Sequence, residues 1–486
     1  MAEDWEALPL LAAMTAYYQE QCVPFHTPGH KYGRGMHPAL AQLFSQKALA
    51  MDVSLMHELD DLFSPDGCIK AAQDRAARVY GAGQSFFIVN GTTAAIHGML
   101  LATVQPGDKV LIARNAHRSV LGGLILTGAT PVFMAVEADA ALGIPGQVLP
   151  ATVAKMLQAN PDAKAVLLTT PNYYGGVCDL AAITALAHAK GVPVLVDEAH
   201  GPHLGFDQRL PLSALAAGAD MTAQSTHKLL GALTQASMLH VGAASLVPAA
   251  KVAAALAVLQ TTSPNYWLLA SLDAAVGQLA AQGEQLIGAA VDLAEEIRRR
   301  INAIDGLFCF GAERSGTAGL AGVDLSKLTI TVSGLGLTGV EAERILRNQS
   351  RFQVELVDQN NVLLLITLGD GPQTADVVEQ AMLNLAAQRK AVKTMPCNVP
   401  TLAPEQALPP REAFFARKKA VAVEQAVGLI AAEPVTFYPP GVPVLLPGER
   451  ISRAVLDWCL AGKQQGLYLS GPQDGRFETI QVVDEA

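Results

Sequence analysis

Lys228 closes the segment Gln224-Ser225-Thr226-His227-Lys228, and upstream of it Val194-Leu195-Val196-Asp197-Glu198-Ala199-His200-Gly201 is an apolar run ending in an acid. Such a run reads as a buried strand that delivers a carboxylate to a pocket; the later segment delivers a lone amine. Lysine is seldom buried without a task, and withdrawal from water lowers its pKa, which makes it a nucleophile toward an aldehyde. An amine that forms an imine with an aldehyde cofactor, and an acid that keeps the cofactor's ring nitrogen protonated, are the pair that pyridoxal phosphate chemistry needs. Each has an ordinary reading when taken alone. Ser-x-His-Lys suits a surface loop, and an Asp at a strand end also serves magnesium sites.

Two further segments join this pair. In Phe87-Ile88-Val89-Asn90-Gly91-Thr92-Thr93 a strand runs into a glycine and two hydroxyls before a helix. Free N–H groups and the helix dipole at such a start attract phosphate, and Thr92 and Thr93 add hydroxyls. A threonine N-cap is the plain alternative, and without a following Gly-Lys-Ser/Thr the segment is not a P-loop. His117, in Arg114-Asn115-Ala116-His117-Arg118-Ser119, follows the next strand and is placed to lie flat on an aromatic ring, or simply to cap a helix. Ser225 and His227 can reach a phosphate from beside Lys228. The chain order is phosphate cup, ring-stacking His117, ring-nitrogen acid Asp197, imine lysine Lys228. That joint order points to pyridoxal phosphate where no single piece does.

The elements that must position these residues are legible as alternating short apolar runs and helical stretches. Strands are expected at Ser85–Val89, Lys109–Ala113, Thr130–Met134, Ala165–Thr169, Pro193–Val196, Met221–Gln224 and Ser237–Val241. Helices are expected at Thr92–Val104, Ser119–Thr127, Pro150–Gln158 and Leu180–Lys190. The alternation predicts an α/β fold with a mostly parallel sheet covered on both faces. A long helix over Leu268–Ile304 is suited to bridging two domains, with strands at Lys327–Val332 and Val362–Thr367 beyond it. Pro396–Pro410 reads as a linker, and a small further domain follows from Arg411.

The chain has 486 residues, 50% hydrophobic and 16% charged, with a formal net charge of −10. The length suits two or three domains, and the low charge fits either an alanine-rich chain or one covered by a partner subunit. The acidic balance argues against a nucleic-acid partner and is compatible with a cationic substrate. Six cysteines, at Cys22, Cys68, Cys178, Cys309, Cys397 and Cys459, form no CxxC pair. Neither a zinc site nor a disulfide framework is indicated, and scattered thiols fit a reducing cytosol. The acidic start Met1-Ala2-Glu3-Asp4-Trp5-Glu6 is wrong for a leader peptide. Two uncharged stretches, Val79–Gly107 and Leu229–Ala250, carry too many polar groups to suit lipid and read as soluble core, not membrane spans.

With these motifs in place the chain resembles the Orn/Lys/Arg decarboxylase family, bacterial pyridoxal phosphate enzymes with the aspartate-aminotransferase fold. Further matching segments are Thr27-Pro28-Gly29-His30-Lys31, Glu58-Leu59-Asp60-Asp61-Leu62, Ala232-Leu233-Thr234-Gln235, Thr262-Ser263-Pro264-Asn265-Tyr266, and Tyr438-Pro439-Pro440-Gly441-Val442-Pro443 through Pro447-Gly448-Glu449. The resemblance implies a fold-type I large domain with a seven-stranded sheet and smaller α+β C-terminal domains. It divides the chain into an N-terminal arm (1–50), a cofactor-binding domain (51–270), a bridging helix with a small α/β domain (271–395), and a linker with a C-terminal decarboxylase domain (396–486).

It further implies Lys228 for the Schiff base, Asp197 for the pyridine nitrogen, His117 on the ring, and Thr92, Thr93, Ser225 and His227 on the phosphate. Lys228 or His200 would protonate Cα after CO2 leaves. Asp60, Asp61 and Glu449, with Glu198 a weaker fourth, are candidates to hold the substrate's distal cation. The implied reaction is decarboxylation of a basic L-amino acid in the cytoplasm, most simply arginine to agmatine. Lysine to cadaverine and ornithine to putrescine are the runners-up; an aminotransferase, a carbon–sulfur lyase, or a non-catalytic protein that keeps the fold are the rivals. An active site at a homodimer interface is implied, with the N-terminal arm and Thr261–Pro264 reaching across. The chain departs from the family in two places. It lacks the N-terminal wing domain of ring-forming members, which favours a dimer or tetramer, and Leu229-Leu230-Gly231 replaces Thr-Leu-Pro after the lysine.

Overall fold

The computed structural model describes residues 8–391, 404–437 and 441–485. Its centre is a seven-stranded sheet. The strands in chain order are β1 (Ala82–Ile88), β2 (Lys109–Ala113), β3 (Thr130–Met134), β4 (Ala165–Thr169), β5 (Val194–Asp197), β6 (Met221–Gln224) and β7 (Ser237–Gly242). They lie in the order β1-β7-β6-β5-β4-β2-β3. All run parallel except β7, which pairs antiparallel with both β1 and β6. One end of the sheet therefore gathers the C-termini of six strands and the N-terminus of β7. Ligand sites in open α/β sheets form at this end.

Strand boundaries shift for local reasons. β1 stops at Ile88 because the Val89 N–H turns to the Gln260 side chain at 2.9 Å instead of β7. β5 includes Asp197, whose Cα pairs with those of Thr169 and Ala223, so the acid rides on the strand's last rung. Helices α3 (Gly91–Thr103), α4 (Arg118–Thr127), α5 (Pro150–Ala159) and α6 (Leu180–His188) cover the sheet near the expected positions, as does α7 (Ala249–Leu259). Two apolar clusters fill its faces. One holds Ile88, Ile112, Leu167, Leu195 and Leu239; the other holds Leu111, Val166, Leu168, Val194 and Val196. The alternation of these residues along each strand is the period-2 pattern of a sheet buried on both sides.

Before the sheet come α1 (Pro9–Gln19) and α2 (Cys68–Tyr80); after it α8 spans Tyr266–Asn302. The Asn265 side chain accepts the N–H groups of Trp267 and Leu268, which starts α8 two residues ahead of the expected Leu268. At roughly 55 Å this helix links two cores. Its first half packs Leu269, Leu272 and Val276 with α1 and α2, and its second half packs Ala294, Ile297 and Ile301 into the small domain. Asp273 of α8 is buried against Arg75 of α2 and accepts the Leu10 and Leu11 N–H groups of α1, locking the three helices together.

The small domain is a four-stranded antiparallel sheet, β8 (Phe308–Cys309), β9 (Lys327–Thr331), β10 (Leu356–Val357) and β11 (Asn361–Leu365), in the order β8-β9-β11-β10. Helices α9 (Gly339–Ser350) and α10 (Gln373–Ala386) back it. The C-terminal segment packs its own core around Val435, Leu445, Leu456 and Ile480. It docks on the loop and helix that follow β2. Arg114 donates to the carbonyls of Pro443 and Val444, the Arg118 N–H donates to Gly441, and Arg411 donates to Ile125 and Leu126. Part of the expected linker (396–403) and Tyr438-Pro439-Pro440 lie outside the described residues. Among the described residues no helix is long and apolar enough to cross a membrane.

Candidate active site

The strand ends bring the chemistry-bearing residues to one edge of the sheet. At the β1–α3 turn Gly91 has φ +73°, a conformation that favours glycine, and α3 begins there. Thr92 Oγ1 sits 2.5 Å from Ser225 Oγ and 2.7 Å from Ser237 Oγ, while Ser237 donates to the Gln224 carbonyl at 2.6 Å. Three hydroxyls from three separate segments thus crowd the start of a helix. Thr93 is exposed beside them, and His227 Nδ1 is 2.8 Å from the Ala236 carbonyl oxygen. Ser237 opens a strand, and its role was not visible in sequence because only the antiparallel return of β7 carries it to this edge.

Asp197 is buried, and its Oδ1 accepts the Ala199 N–H at 3.2 Å. Burial raises its pKa to about 6 against the pull of Lys228. The turn after it needs a glycine at 201, where a Cβ would meet Glu198 Cγ at 2.6 Å. That turn aims His200 at Lys228, with Nε2 2.9 Å from Lys228 Nζ. Burial, then the nearby charges of Lys228 and Lys327, hold His200 well below the usual histidine range. Lys228 is half-buried, and loss of hydration lowers its pKa against the attraction of Asp197 and Glu355. His117 caps α4, with Nδ1 2.9 Å from Ser119 Oγ; burial and then the Lys228 charge press its pKa to about 4. It faces the cluster as a neutral ring.

Three more groups complete the site. Lys327, at the start of β9, is 1% exposed and sets its Nζ 2.9 Å from His200 Nδ1. The ring of Tyr173, in the turn after β4, packs against His200 at 4.3 Å with the two planes tilted by 56°, and lies 5.5 Å from Lys228 Nζ. The Tyr173 phenol donates to Glu355 at 3.2 Å. A lone lysine opening the apolar run Lys327-Leu328-Thr329-Ile330 was the one sequence signal among these, since a charge that leads a buried strand needs a reason. Tyr173 and Glu355 gave none.

The four acids expected to hold a distal cation are differently placed. Both oxygens of Asp60 are taken by backbone N–H groups, those of Asp61 and Asp66 on one and those of Gly67, Ile69 and Lys70 on the other. Asp60 is the anchor for the start of α2, not a free carboxylate. Glu449 is fully buried with Arg114, Nη2 lying 3.2 Å from each oxygen, and accepts the Leu446 N–H at 2.7 Å. It clamps the C-terminal segment to the loop before His117; burial raises its pKa to about 7 against the Arg114 charge. Glu198 accepts from Ala214, Thr222 and Gln224 and is likewise occupied. Asp61 is half-buried and accepts the Phe63 N–H at 2.9 Å, leaving its second oxygen the least committed of the four acids.

The model of the Orn/Lys/Arg decarboxylase major domain matches residues 8–317, and that of the Orn/Lys/Arg decarboxylase C-terminal domain matches 386–471. The chain is 43% identical to an arginine decarboxylase of Halalkalibacterium halodurans over 99% of this chain and 98% of the relative. It is 41% identical to an arginine decarboxylase of Bacillus subtilis over 98% of each. The solved structure of lysine decarboxylase A from Pseudomonas aeruginosa shares the fold, with TM-score 0.83 and 24% identity over 98% of this chain and 80% of that one. A half-buried lysine, a buried acid and a hydroxyl cluster thus stand on a chain that belongs to the Orn/Lys/Arg decarboxylase family.

Proposed function

We propose that the chain removes the α-carboxylate of L-arginine, giving agmatine and CO2. The observation that carries the reaction is Lys228, a partly buried amine facing His200 at 2.9 Å beside the buried Asp197. Full-length likeness to relatives named arginine decarboxylase supports arginine over lysine and ornithine.

The residues present fit pyridoxal phosphate. A buried carboxylate whose pKa is raised by loss of water suits a protonated ring nitrogen, and three clustered hydroxyls at a helix start suit a phosphate. Thr92 and Ser225 would hold that phosphate, with Thr93 and His227 alongside and Ser237 behind. When bound, the cofactor supplies an electron sink for the pair left on the substrate's Cα as CO2 departs. Asp197 would keep the ring nitrogen charged, and His117, neutral at working pH, would lie against the ring without repelling it. Lys228 would hold the cofactor through its amine. Either Lys228 Nζ or His200 Nε2 would return a proton to Cα. Asp61 and Glu355 are the acids still open to a guanidinium, which pairs best with a carboxylate that it can grip at two points.

A homo-oligomer, at least a dimer, and a cytoplasmic setting belong to the same proposal. Val23, Phe25, Leu40, Leu43, Phe44 and Leu55 are exposed in one stretch near the N-terminus, as expected of an arm that a second copy covers. The deciding assay measures CO2 release from carboxyl-labelled arginine, lysine and ornithine. Arginine should give kcat/KM at least about tenfold above the others, because only the flat guanidinium can grip a carboxylate at two points. Equal or greater release from lysine would overturn the substrate, and no release from any of the three would overturn the reaction.

A further inference from the structure

His200 is wedged between two amines. Lys228 Nζ is 2.9 Å from Nε2, and Lys327 Nζ is 2.9 Å from Nδ1. A neutral imidazole has one N–H and one lone pair. The nitrogen with the lone pair accepts from an amine, while the N–H must donate to the lone pair of the other amine. That second amine is therefore neutral. The tautomer of His200 decides which lysine it is.

The surroundings break the tie. Lys327 also donates to the Tyr173 carbonyl at 3.3 Å; burial presses its pKa down to about 8 against the pull of Asp324 and Glu355, which leaves it charged at neutral pH. Asp324 is wholly buried; its Oδ1 is bonded to His203 and Ser326, but its Oδ2 has no hydrogen-bond partner among the described residues. Negative charge thus remains next to Lys327. Lys228 faces Asp197, His117, His200, the Tyr173 ring, Glu355 and Lys327 itself. Asp197, the acid that draws it most, has its own pKa raised to about 6 by burial, so its pull weakens as the pH falls below neutral.

We propose that Lys327 is a positioning residue: its ammonium, held against His200 Nδ1, fixes the ring proton on Nε2 and so keeps the Lys228 amine neutral and ready to attack. Acting through His200, Lys327 touches neither the cofactor nor the reacting atoms. The inference rests on Lys228 being the cofactor-binding amine and is independent of which amino acid is the substrate.

Two measurements on the cofactor-free, full-length protein test it. In wild type, nitrogen NMR of labelled histidine, with His200 assigned by its loss in His200→Gln, should show the proton on Nε2. A proton on Nδ1, or on both nitrogens, overturns the proposal. In Lys327→Met, the pH profile of Lys228 reductive methylation, read by peptide mass spectrometry, should move up by about one unit, so that labelling near neutral pH falls about tenfold. A profile that superimposes on wild type overturns it too. The wild-type spectrum decides alone should Lys327→Met not fold. Neither readout uses arginine, so a failed substrate assignment leaves both results standing.

Discussion

A buried carboxylate awaiting its partner makes the site costly to fold when empty, and Asp197 shows this most directly. Its pKa rises from 3.8 to about 6 because water is excluded. A raised pKa means that the native state holds the proton more tightly than the unfolded chain does. The group's contribution is therefore most favourable below about pH 4 and is lost as pH rises toward about 6. Above that range the charged, buried Asp197 costs on the order of 3 kcal/mol. Asp197→Asn removes the charge. The cofactor-free variant should melt above wild type at pH 7.5, with the gap closing as the pH falls toward about 4. Equal melting temperatures at neutral pH would show that Asp197 already has a partner. Lys228, Asp197 and His117 were legible from sequence because each follows an apolar strand, and strand ends of a parallel sheet converge. Of Lys327 only the oddity of a charge opening a buried strand was visible, and Glu355 gave no sign, because both arrive from a second domain whose approach no local pattern encodes.

At the scale of elements, the fold was readable wherever one run packs on both sides. All seven strands of the large sheet lie within a residue or a few of their expected limits, since period-2 burial is written in the residues themselves. The acids of the Glu58–Leu62 and Pro447–Glu449 motifs were harder, because a motif names a residue without saying which neighbour uses it. Asp60 collects five backbone N–H groups around the start of α2, and Glu449 holds Arg114. Both tie elements together. Asp60→Ala should therefore destabilise the protein by about 2 kcal/mol or more, the upper range for losing a helix cap, as read by urea unfolding. KM for arginine should stay within about twofold of wild type. A KM raised tenfold or more with unchanged stability would return Asp60 to the substrate site.

At the scale of the molecule, three packed units meet near one sheet edge. α8 joins the large and small cores, and the C-terminal segment grips the loop before His117. The exposed apolar residues from Val23 to Leu55 are part of the surface that this arrangement leaves uncovered. Sedimentation at micromolar concentration should show a dimer or larger, with specific activity falling on dilution into the monomer range; a monomer of full activity would refute the interface. What holds the chemistry together is a single amine. Reduction of the cofactor-loaded protein with borohydride, then peptide mass mapping, should place the pyridoxyl adduct on Lys228. An adduct on another lysine, or none on a protein that still releases CO2 from arginine, would contradict it.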